Sequence, residues 1–134
     1  MNSFEIKYNG NLRTSIKHIE SDQIINTDAP KDNHGLGQCF SPTDLVCVSL
    51  ASCMITIMAI AMRKHDITLK GVKADVKKIM QSDPRMISQI DIIITFPKTY
   101  NNKIKLILER SALNCPVHNS LSENIKKNVI FNYS

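Results

Sequence analysis

Hydrophobic and polar residues alternate along the first 26 residues of the chain, which is the pattern of β-strands with one buried face. The positions that recur at every second residue are Phe4, Ile6 and Tyr8, followed by Leu12, Thr14, Ile16 and His18. Asn9-Gly10, between the two runs, is a strong hairpin signal because both residues tolerate a positive φ. A second polar turn leads into Ile24-Ile25. The pattern therefore predicts a three-stranded meander.

A loop rich in Asp, Pro, Asn and Gly follows and ends at a helix start. Ser41 is a good N-cap, Pro42 suits the first helical position, and Asp44 completes a pattern similar to a capping box. No charged residue stands between Asp44 and Arg63, so the predicted helix is apolar around most of its circumference. Its length is near the lower limit for a membrane span. A single such segment in an otherwise soluble pattern favours instead a helix buried on nearly all sides.

Four small polar residues of this helix share one stripe of its surface, because their spacing matches the helical repeat. They are Ser49, Ser52, Cys53 and Thr56. Cys47 points elsewhere, about 120° around the helix. One small sheet cannot cover a helix as hydrophobic as this. We therefore expect an extensive homodimer in which a second subunit supplies the cover.

The remainder of the chain alternates between strand and helix patterns. Val72, Ala74 and Val76 alternate with charged residues, and a turn at residues 81–84 leads into a second strand. The inward positions of that strand are Ile90, Ile92, Ile94 and Phe96. Helical composition covers residues 102–112, Cys115-Pro116 starts a short helix, and a last strand is centred on residues 129–131. The order β-β-β-α-β-β-α-α-β predicts an α+β fold.

Length, composition and charge disfavour several classes of function. The 134 residues fit one domain, 1–134. A net charge of +5 is compatible with nucleic-acid binding, but the lysines occur at most in pairs and aromatic residues make up only 5% of the chain. A solvated basic surface is therefore favoured over a nucleic-acid site. The N-terminus lacks the pattern of a secretory signal, so we expect a cytoplasmic protein with reduced thiols.

The cysteines are the candidate reactive residues. None of the four forms a C-x-x-C pair, so a zinc site is disfavoured and no metal is expected. Cys53 is either an inert core thiol or a reactive residue in the polar stripe, and the residues alone leave both open. Cys115, directly before Pro116, faces a helix N-terminus that favours thiolate. His118 is either a base reaching back to Cys115 or an exposed first-turn residue. Cys39 and Cys47 are interpreted as bystanders.

Three segments together resemble the OsmC/Ohr family. They are Phe40-Ser41-Pro42-Thr43-Asp44-Leu45, Ala51-Ser52-Cys53-Met54 and Asn114-Cys115-Pro116-Val117, and the resemblance extends over nearly the whole chain. It includes Thr27-Asp28-Ala29-Pro30 and the order of the elements. Two cysteines in separate contexts similar to those of the family make the match specific. The closest resemblance is to a divergent OsmC-like branch.

The resemblance implies an intertwined α+β homodimer, in which antiparallel β-sheets wrap around long central helices and active sites lie at the dimer interface. It implies that Cys53 attacks an organic hydroperoxide and that Cys115 resolves the resulting sulfenic acid to a disulfide. A dithiol such as a lipoyl group would then reduce the disulfide, with no bound cofactor. The alternative is a noncatalytic OsmC-like dimer that is associated with stress or binds a small molecule.

The family also implies an arginine near the peroxidatic cysteine, and Arg13 is the only arginine before the long helix. Better-characterised peroxidases of the family carry a glutamate after the helix-start proline, where this chain has Thr43 followed by Asp44. We expect Arg13 to be less fixed than in those proteins, or held by Asp44. Ser49, Ser52 and Thr56 are expected to support the pocket, and His18 to be structural.

Overall fold

The computed structural model describes residues 2–134 and divides into two compact units, Met1–Val46 and Cys47–Ser134. Short 3₁₀ turns also occur at Lys31–Asn33 and Arg63–His65. The observed order of elements is the predicted one. The elements are β1 (Phe4–Gly10), β2 (Arg13–His18), β3 (Ile24–Asp28), α1 (Pro42–Met62), β4 (Lys73–Gln81), β5 (Met86–Phe96), α2 (Asn102–Leu113), α3 (Pro116–Ser120) and β6 (Lys126–Tyr133).

The first unit contains the predicted meander, in which β1, β2 and β3 pair antiparallel in sequence order. The predicted position of the first turn was wrong. Gly10 already pairs with Arg13, and the two-residue loop is Asn11-Leu12, with φ values of 55° and 61°. Asn9-Gly10 forms a bulge in β1 instead, since the register shifts between Tyr8 and Gly10. A bulge displaces a turn along the strand, and local residue preferences do not reveal it.

One face of the meander is apolar and exposed. We call it the apolar face of the N-terminal sheet. Its residues are Phe4, Ile6, Tyr8, Ile16 and Ile25, placed on one side by the strand register. Ile6 is 61% exposed and Tyr8 is 67% exposed. Between residues 2 and 46 the fully buried residues are polar, namely Thr27, Asp28 and Ser41.

The second unit contains a mixed sheet. β4 and β5 form the predicted hairpin, but β6 lies parallel to β5, with Ile92 opposite Val129. The expectation that the sheets are antiparallel throughout was therefore wrong for this pair. The reason is the connection, because α2 and α3 carry the chain back across the sheet before β6 begins, and such a crossover produces a parallel pair.

An apolar core fills the second unit. Its fully buried large side chains come from α1, β5 and α2, and they are Leu50, Met54, Met58, Met62, Ile90, Ile92, Ile94, Phe96 and Leu108. α1 contributes only one face to this core. Val48 is 37% exposed and Ile60 is 52% exposed in the single chain. The helix predicted to be buried on nearly all sides thus has an uncovered side in the isolated chain.

By length and composition alone, the segment Pro42–His65 would also satisfy the criteria for a membrane span, with a mean hydropathy of 2.4. A third of its most apolar window is buried within the chain. The core helix of a soluble protein satisfies the same criteria, which is the interpretation favoured by the sequence.

Candidate active site

Cys53 and Cys115 meet within the second unit. Cys53 lies in the middle of α1 and is partly buried, whereas Cys115 precedes α3 and is completely buried. The two side chains lie near enough for Cys53 to raise the pKa of Cys115, and both are free thiols. Sixty-one residues separate them in sequence. The fold therefore brings together the two cysteines that the sequence singled out.

Cys115 is held by the start of α3. It is the N-cap residue, with the extended backbone typical of that position, and Pro116 occupies the first turn. Its Sγ accepts a hydrogen bond from the backbone N–H of His118 at 3.3 Å. The Cys-Pro pattern had predicted this helix start, and the prediction is confirmed. The cap fixes the direction in which the sulfur points.

The protonation of Cys115 differs from the sequence expectation. Burial raises the pKa of the Cys115 thiol, and this effect outweighs the N–H of His118, which lowers it. The proximity of Cys53 raises it further. The expectation that the helix start would favour a Cys115 thiolate was therefore wrong. Desolvation destabilises the thiolate form of a buried cysteine more than two amide hydrogen bonds stabilise it. Cys115 is a neutral thiol at neutral pH.

His118 contacts Cys115 through its backbone N–H. Burial lowers the pKa of the imidazole, and the positive charge of Lys127 adds to this effect. The ring is partly buried, so His118 is not the exposed first-turn residue of one sequence interpretation. Its backbone helps to hold the resolving candidate in place.

The helix start at Ser41 forms a reciprocal cap. Asp44 N–H donates to Ser41 Oγ at 3.0 Å, and Ser41 N–H donates to the Asp44 carboxylate at 2.9 Å. The Thr43 hydroxyl shares a hydrogen bond with Ser41 Oγ at 3.1 Å. The predicted capping box is confirmed. Thr43 and Asp44 therefore both take part in starting α1.

Arg13 forms a two-pronged ion pair with Asp28. Nε donates to Oδ1 at 2.7 Å, and Nη2 donates to Oδ2 at 2.9 Å. Arg13 Nη2 also donates to the side-chain oxygen of Gln38 at 2.8 Å. Asp28 is only 1% exposed, and the Arg13 guanidinium holds the pKa of its carboxyl well below the usual range. Arg13 is thus held by a carboxylate that sequence analysis had not considered.

Asp28 had one visible signal, because it belongs to Thr27-Asp28-Ala29-Pro30, which contributed to the family resemblance. Nothing in that segment identifies Arg13 as its partner. The pairing follows from the register of β2 and β3, which places Arg13 opposite Asp28. Cys39 also contacts this carboxylate, and burial raises the pKa of the Cys39 thiol.

The polar stripe of α1 borders a shallow groove. Ser49, Ser52 and Thr56 are exposed, and the Thr56 hydroxyl donates to the backbone oxygen of Ser52 at 2.8 Å. The groove has a volume of about 400 Å³ and lies between α1 and the beginning of β4. It is lined mainly by small and β-branched side chains, including Val48, Ser52, Thr56, Val72, Ala74 and Val76.

Two other candidates have simpler roles. His18 Nδ1 shares a hydrogen bond with Ser21 Oγ at 2.7 Å, which ties the ring to the turn after β2. The structural interpretation of His18 is therefore the one supported. Among residues 2–134, no three His, Cys, Asp or Glu side chains are grouped so as to bind a metal ion.

Comparison with known proteins extends the resemblance. The sequence profile of the OsmC-like protein family matches residues 35–129. The structure is similar to that of a proposed osmotic stress induced and detoxification response protein from Psychrobacter arcticus, with 45% identity and a TM-score of 0.94, covering 98% of this chain and 96% of that one. No protein of curated function matches the chain significantly.

More distant structures share the fold. One is an organic hydroperoxide resistance protein from Legionella pneumophila, with 13% identity and a TM-score of 0.76, covering 96% of this chain and 94% of that one. Another is a proposed organic hydroperoxide resistance protein from Vibrio cholerae, with captopril bound in one of its active sites. It has 17% identity and a TM-score of 0.72, covering 98% of this chain and 92% of that one.

Proposed function

This chain belongs to the OsmC-like family, and on that premise we propose that it is a thiol-dependent peroxidase that reduces organic hydroperoxides in oxidative-stress defence. One observation carries the proposal: the thiols of Cys53 and Cys115, far apart in sequence, lie near enough for Cys53 to raise the pKa of Cys115. A binding protein does not need that proximity. A two-cysteine peroxidase does, because the second sulfur must reach the first.

The environments of the two sulfurs support a division of roles. Cys53 is the partly exposed one, so it is the sulfur that a substrate can reach. Cys115 is completely buried and protonated, so it does not itself attack a peroxide, because that step requires a thiolate. We therefore assign Cys53 as the peroxidatic cysteine and Cys115 as the resolving one.

In the proposed reaction the Cys53 thiolate attacks the terminal oxygen of the hydroperoxide. An S–O bond forms and the O–O bond breaks, leaving a Cys53 sulfenic acid and an alkoxide that takes up a proton to become the alcohol. The Cys115 thiol then attacks the sulfenic sulfur. An S–S bond forms, the S–O bond breaks, and the hydroxyl leaves with the thiol proton as water.

A dithiol such as a lipoyl group completes the cycle. It reduces the Cys53–Cys115 disulfide to two thiols and becomes a disulfide itself, so electrons balance without a bound cofactor. We place the reaction in the cytoplasm, where such reductants keep free cysteines reduced. The groove beside Ser52 and Thr56 is a candidate position for the organic part of the substrate.

We further propose that the active unit is a homodimer. The uncovered side of α1 exposes Val48 and Ile60, and the apolar face of the N-terminal sheet exposes more than half of Phe4, Ile6 and Tyr8. Neighbouring exposed apolar side chains are typical of interaction surfaces. The family resemblance implies that a second copy of the chain covers these surfaces.

The family resemblance also implies an arginine near the peroxidatic cysteine, and we propose Arg13 as the cation that assists the reaction at Cys53.

The test is a free-thiol count before and after one equivalent of cumene hydroperoxide, followed by mass spectrometry of linked peptides. The wild-type protein is expected to lose two thiols per chain and to yield a Cys53–Cys115 link. Cys53→Ser should abolish turnover. Cys115→Ser should permit one turnover and accumulate a sulfenic or overoxidised Cys53.

Cys47→Ser is the matched control, because Cys47 lies on the same helix but about 120° around it from Cys53. It is expected to retain full turnover. If all four thiols of the wild-type protein survive the peroxide, the peroxidase proposal fails and a noncatalytic binding protein becomes the better hypothesis.

A further inference from the structure

The two sulfurs of the pair differ in how far a second molecule can reach them. Cys53 is only partly buried, and Ser49 and Thr56, which lie about one helical turn before and after it on α1, are exposed. Cys115 is 0% exposed. In thiol–disulfide exchange the attacking thiolate must contact one sulfur of the disulfide, so access decides which sulfur is attacked. A reductant that meets this fold can reach Cys53 but not Cys115.

The start of α3 keeps the Cys115 sulfur in the interior of the second unit. Cys115 Sγ accepts the backbone N–H of His118 at 3.3 Å, and Cys115 O accepts the backbone N–H of Asn119 at 3.0 Å. The Asn119 side chain also donates to Asn114 O at 3.2 Å. Pro116, in the first turn, has a fixed φ that suits this position. Cys115 is therefore held through both its sulfur and its backbone, and exposure of the sulfur requires this turn to open.

The protonation of Cys115 opposes its release from a disulfide, but access outweighs this effect. Burial raises the pKa of the Cys115 thiol, and a thiol of higher pKa is a slower leaving group. A slow leaving group still leaves, whereas a sulfur without exposed surface cannot be contacted. The N–H of His118 reduces the cost of release as well, because it donates to the sulfur on which the negative charge forms.

We propose that α3 directs the reductant of the oxidised protein to Cys53, with Cys115 as the buried leaving group. The inference rests on the proposed peroxidase function. It names the sulfur with which the dithiol partner forms its mixed disulfide, and it gives α3 a role in the reaction.

The reduction then consists of two exchanges. In the first, one thiolate of the dithiol attacks Cys53 Sγ, and the Cys53–Cys115 bond breaks with its electron pair on the Cys115 sulfur, which takes up a proton. In the second, the other thiolate of the dithiol attacks the reductant sulfur that is bound to Cys53. The reductant closes its own disulfide, and Cys53 is released as a thiolate. Because burial keeps Cys115 protonated, it is slow to reverse the first exchange.

The test locates the mixed disulfide. A protein with Cys39→Ser and Cys47→Ser, which has thiols only at the pair, is oxidised with diamide, so that the disulfide forms without a peroxide. 2-Mercaptoethanol, which lacks a second thiol, is added, and acid stops the exchange at early times by removing thiolates. Mass spectrometry should find about tenfold more adduct on the Cys53 peptide than on the Cys115 peptide. The protein with all four cysteines should give the same ratio.

A variant of α3 tests the cause of the preference. Pro116→Gly removes the ring that fixes φ and loosens the first turn, so the Cys115 share of the adduct should rise about fivefold. Pro97→Gly is the matched control, because it makes the same substitution at an exposed proline outside α3, and its ratio should not change. Should Pro116→Gly fail to fold, Asn119→Ala, which removes the hydrogen bond to Asn114 O, should shift the ratio in the same direction.

Two results overturn the inference while leaving the peroxidase intact. One is an adduct mainly on the Cys115 peptide, which would show that the reductant attacks the sulfur that this fold buries. The other is an unchanged ratio in the α3 variant, which would show that α3 does not determine the direction of attack. If diamide instead fails to link Cys53 to Cys115, that result contradicts the proposed function itself and the inference with it.

Discussion

The two units of the chain bury opposite kinds of residue. In the second unit the buried residues are apolar side chains that come mainly from α1, β5 and α2, together with Leu69 and Cys115. In the first, residues 2–46, the buried residues are Thr27, Asp28 and Ser41, while large apolar side chains of β1 are more than half exposed. The second unit thus has a hydrophobic core of its own, whereas the first is organised around an ion pair and strand hydrogen bonds.

This difference explains what holds the Cys115 and Arg13 side chains in place. Cys115 is fixed because it is embedded in a close-packed interior. Arg13 is fixed by a buried carboxylate and by the pairing of β2 with β3. The apolar face of a sheet contributes to stability only when it is removed from water, because that burial is the source of the hydrophobic effect. The first unit therefore depends on a cover for that face, which the proposed second subunit would supply.

The largest expected effect compares one substitution in both units. Phe96 is completely buried and stacks on Tyr133 at a ring distance of 4.7 Å. Phe96→Ala should lower the free energy of unfolding by about 3–5 kcal/mol, measured by urea denaturation. Phe4→Ala, at a position that is 59% exposed, should cost less than about 1 kcal/mol at protein concentrations low enough for monomer. Equal costs would show that the two units are packed alike.

The second prediction tests whether a second subunit covers the apolar face of the N-terminal sheet. Ile6→Lys places a charge in the middle of β1, on the apolar face of the N-terminal sheet, and should convert the proposed dimer to monomer, as measured by sedimentation velocity. Glu5→Lys is the control, because Glu5 adjoins Ile6 in β1 but points to the opposite face. A variant Ile6→Lys that sediments like wild type would mean that a second copy does not cover this face.

The smallest effect is on acid stability. The pKa of Asp28 is lowered by Arg13 from an ordinary value of 3.8, so the pair stabilises the fold fully above that value and loses its contribution as the pH falls further. Asp28→Asn should therefore show a shallower loss of stability than wild type between about pH 4 and about pH 2. Asp22→Asn should retain the wild-type slope, since exposed ion pairs contribute little. Parallel acid curves for Asp28→Asn and wild type would contradict the prediction.

Local pattern was sufficient for most of the fold. The alternation from Phe4 onward predicted the meander, and the Ser41–Asp44 cap predicted the start of α1. What failed involved residues distant from one another or a shift within a strand. The parallel pairing of β5 with β6 depends on how a crossover packs, and the displaced turn at Asn11-Leu12 depends on a bulge. Neither leaves a signature in the neighbouring residues.

The candidate site shows the same contrast between features that local pattern predicts and features that depend on distant residues. Cys53 and Cys115 could be singled out from the segments around them, and the fold brings them close together. The protonation of Cys115 could not be predicted, because the helix start is visible in Cys-Pro whereas burial depends on the whole second unit. Asp28 was missed as the partner of Arg13 for a similar reason, since only the strand register places the two opposite each other.

The parallel partner of β5 also bears on how the protein is made. β5 is rich in isoleucine, with five among its 11 residues, and β6 pairs along one of its edges. An unpaired, isoleucine-rich edge is a template for intermolecular β-sheet growth. That edge is unprotected until the ribosome has delivered residues 126–133. β6 thus protects this edge of β5 from aggregation, and a product terminated before Lys126 would lack that protection.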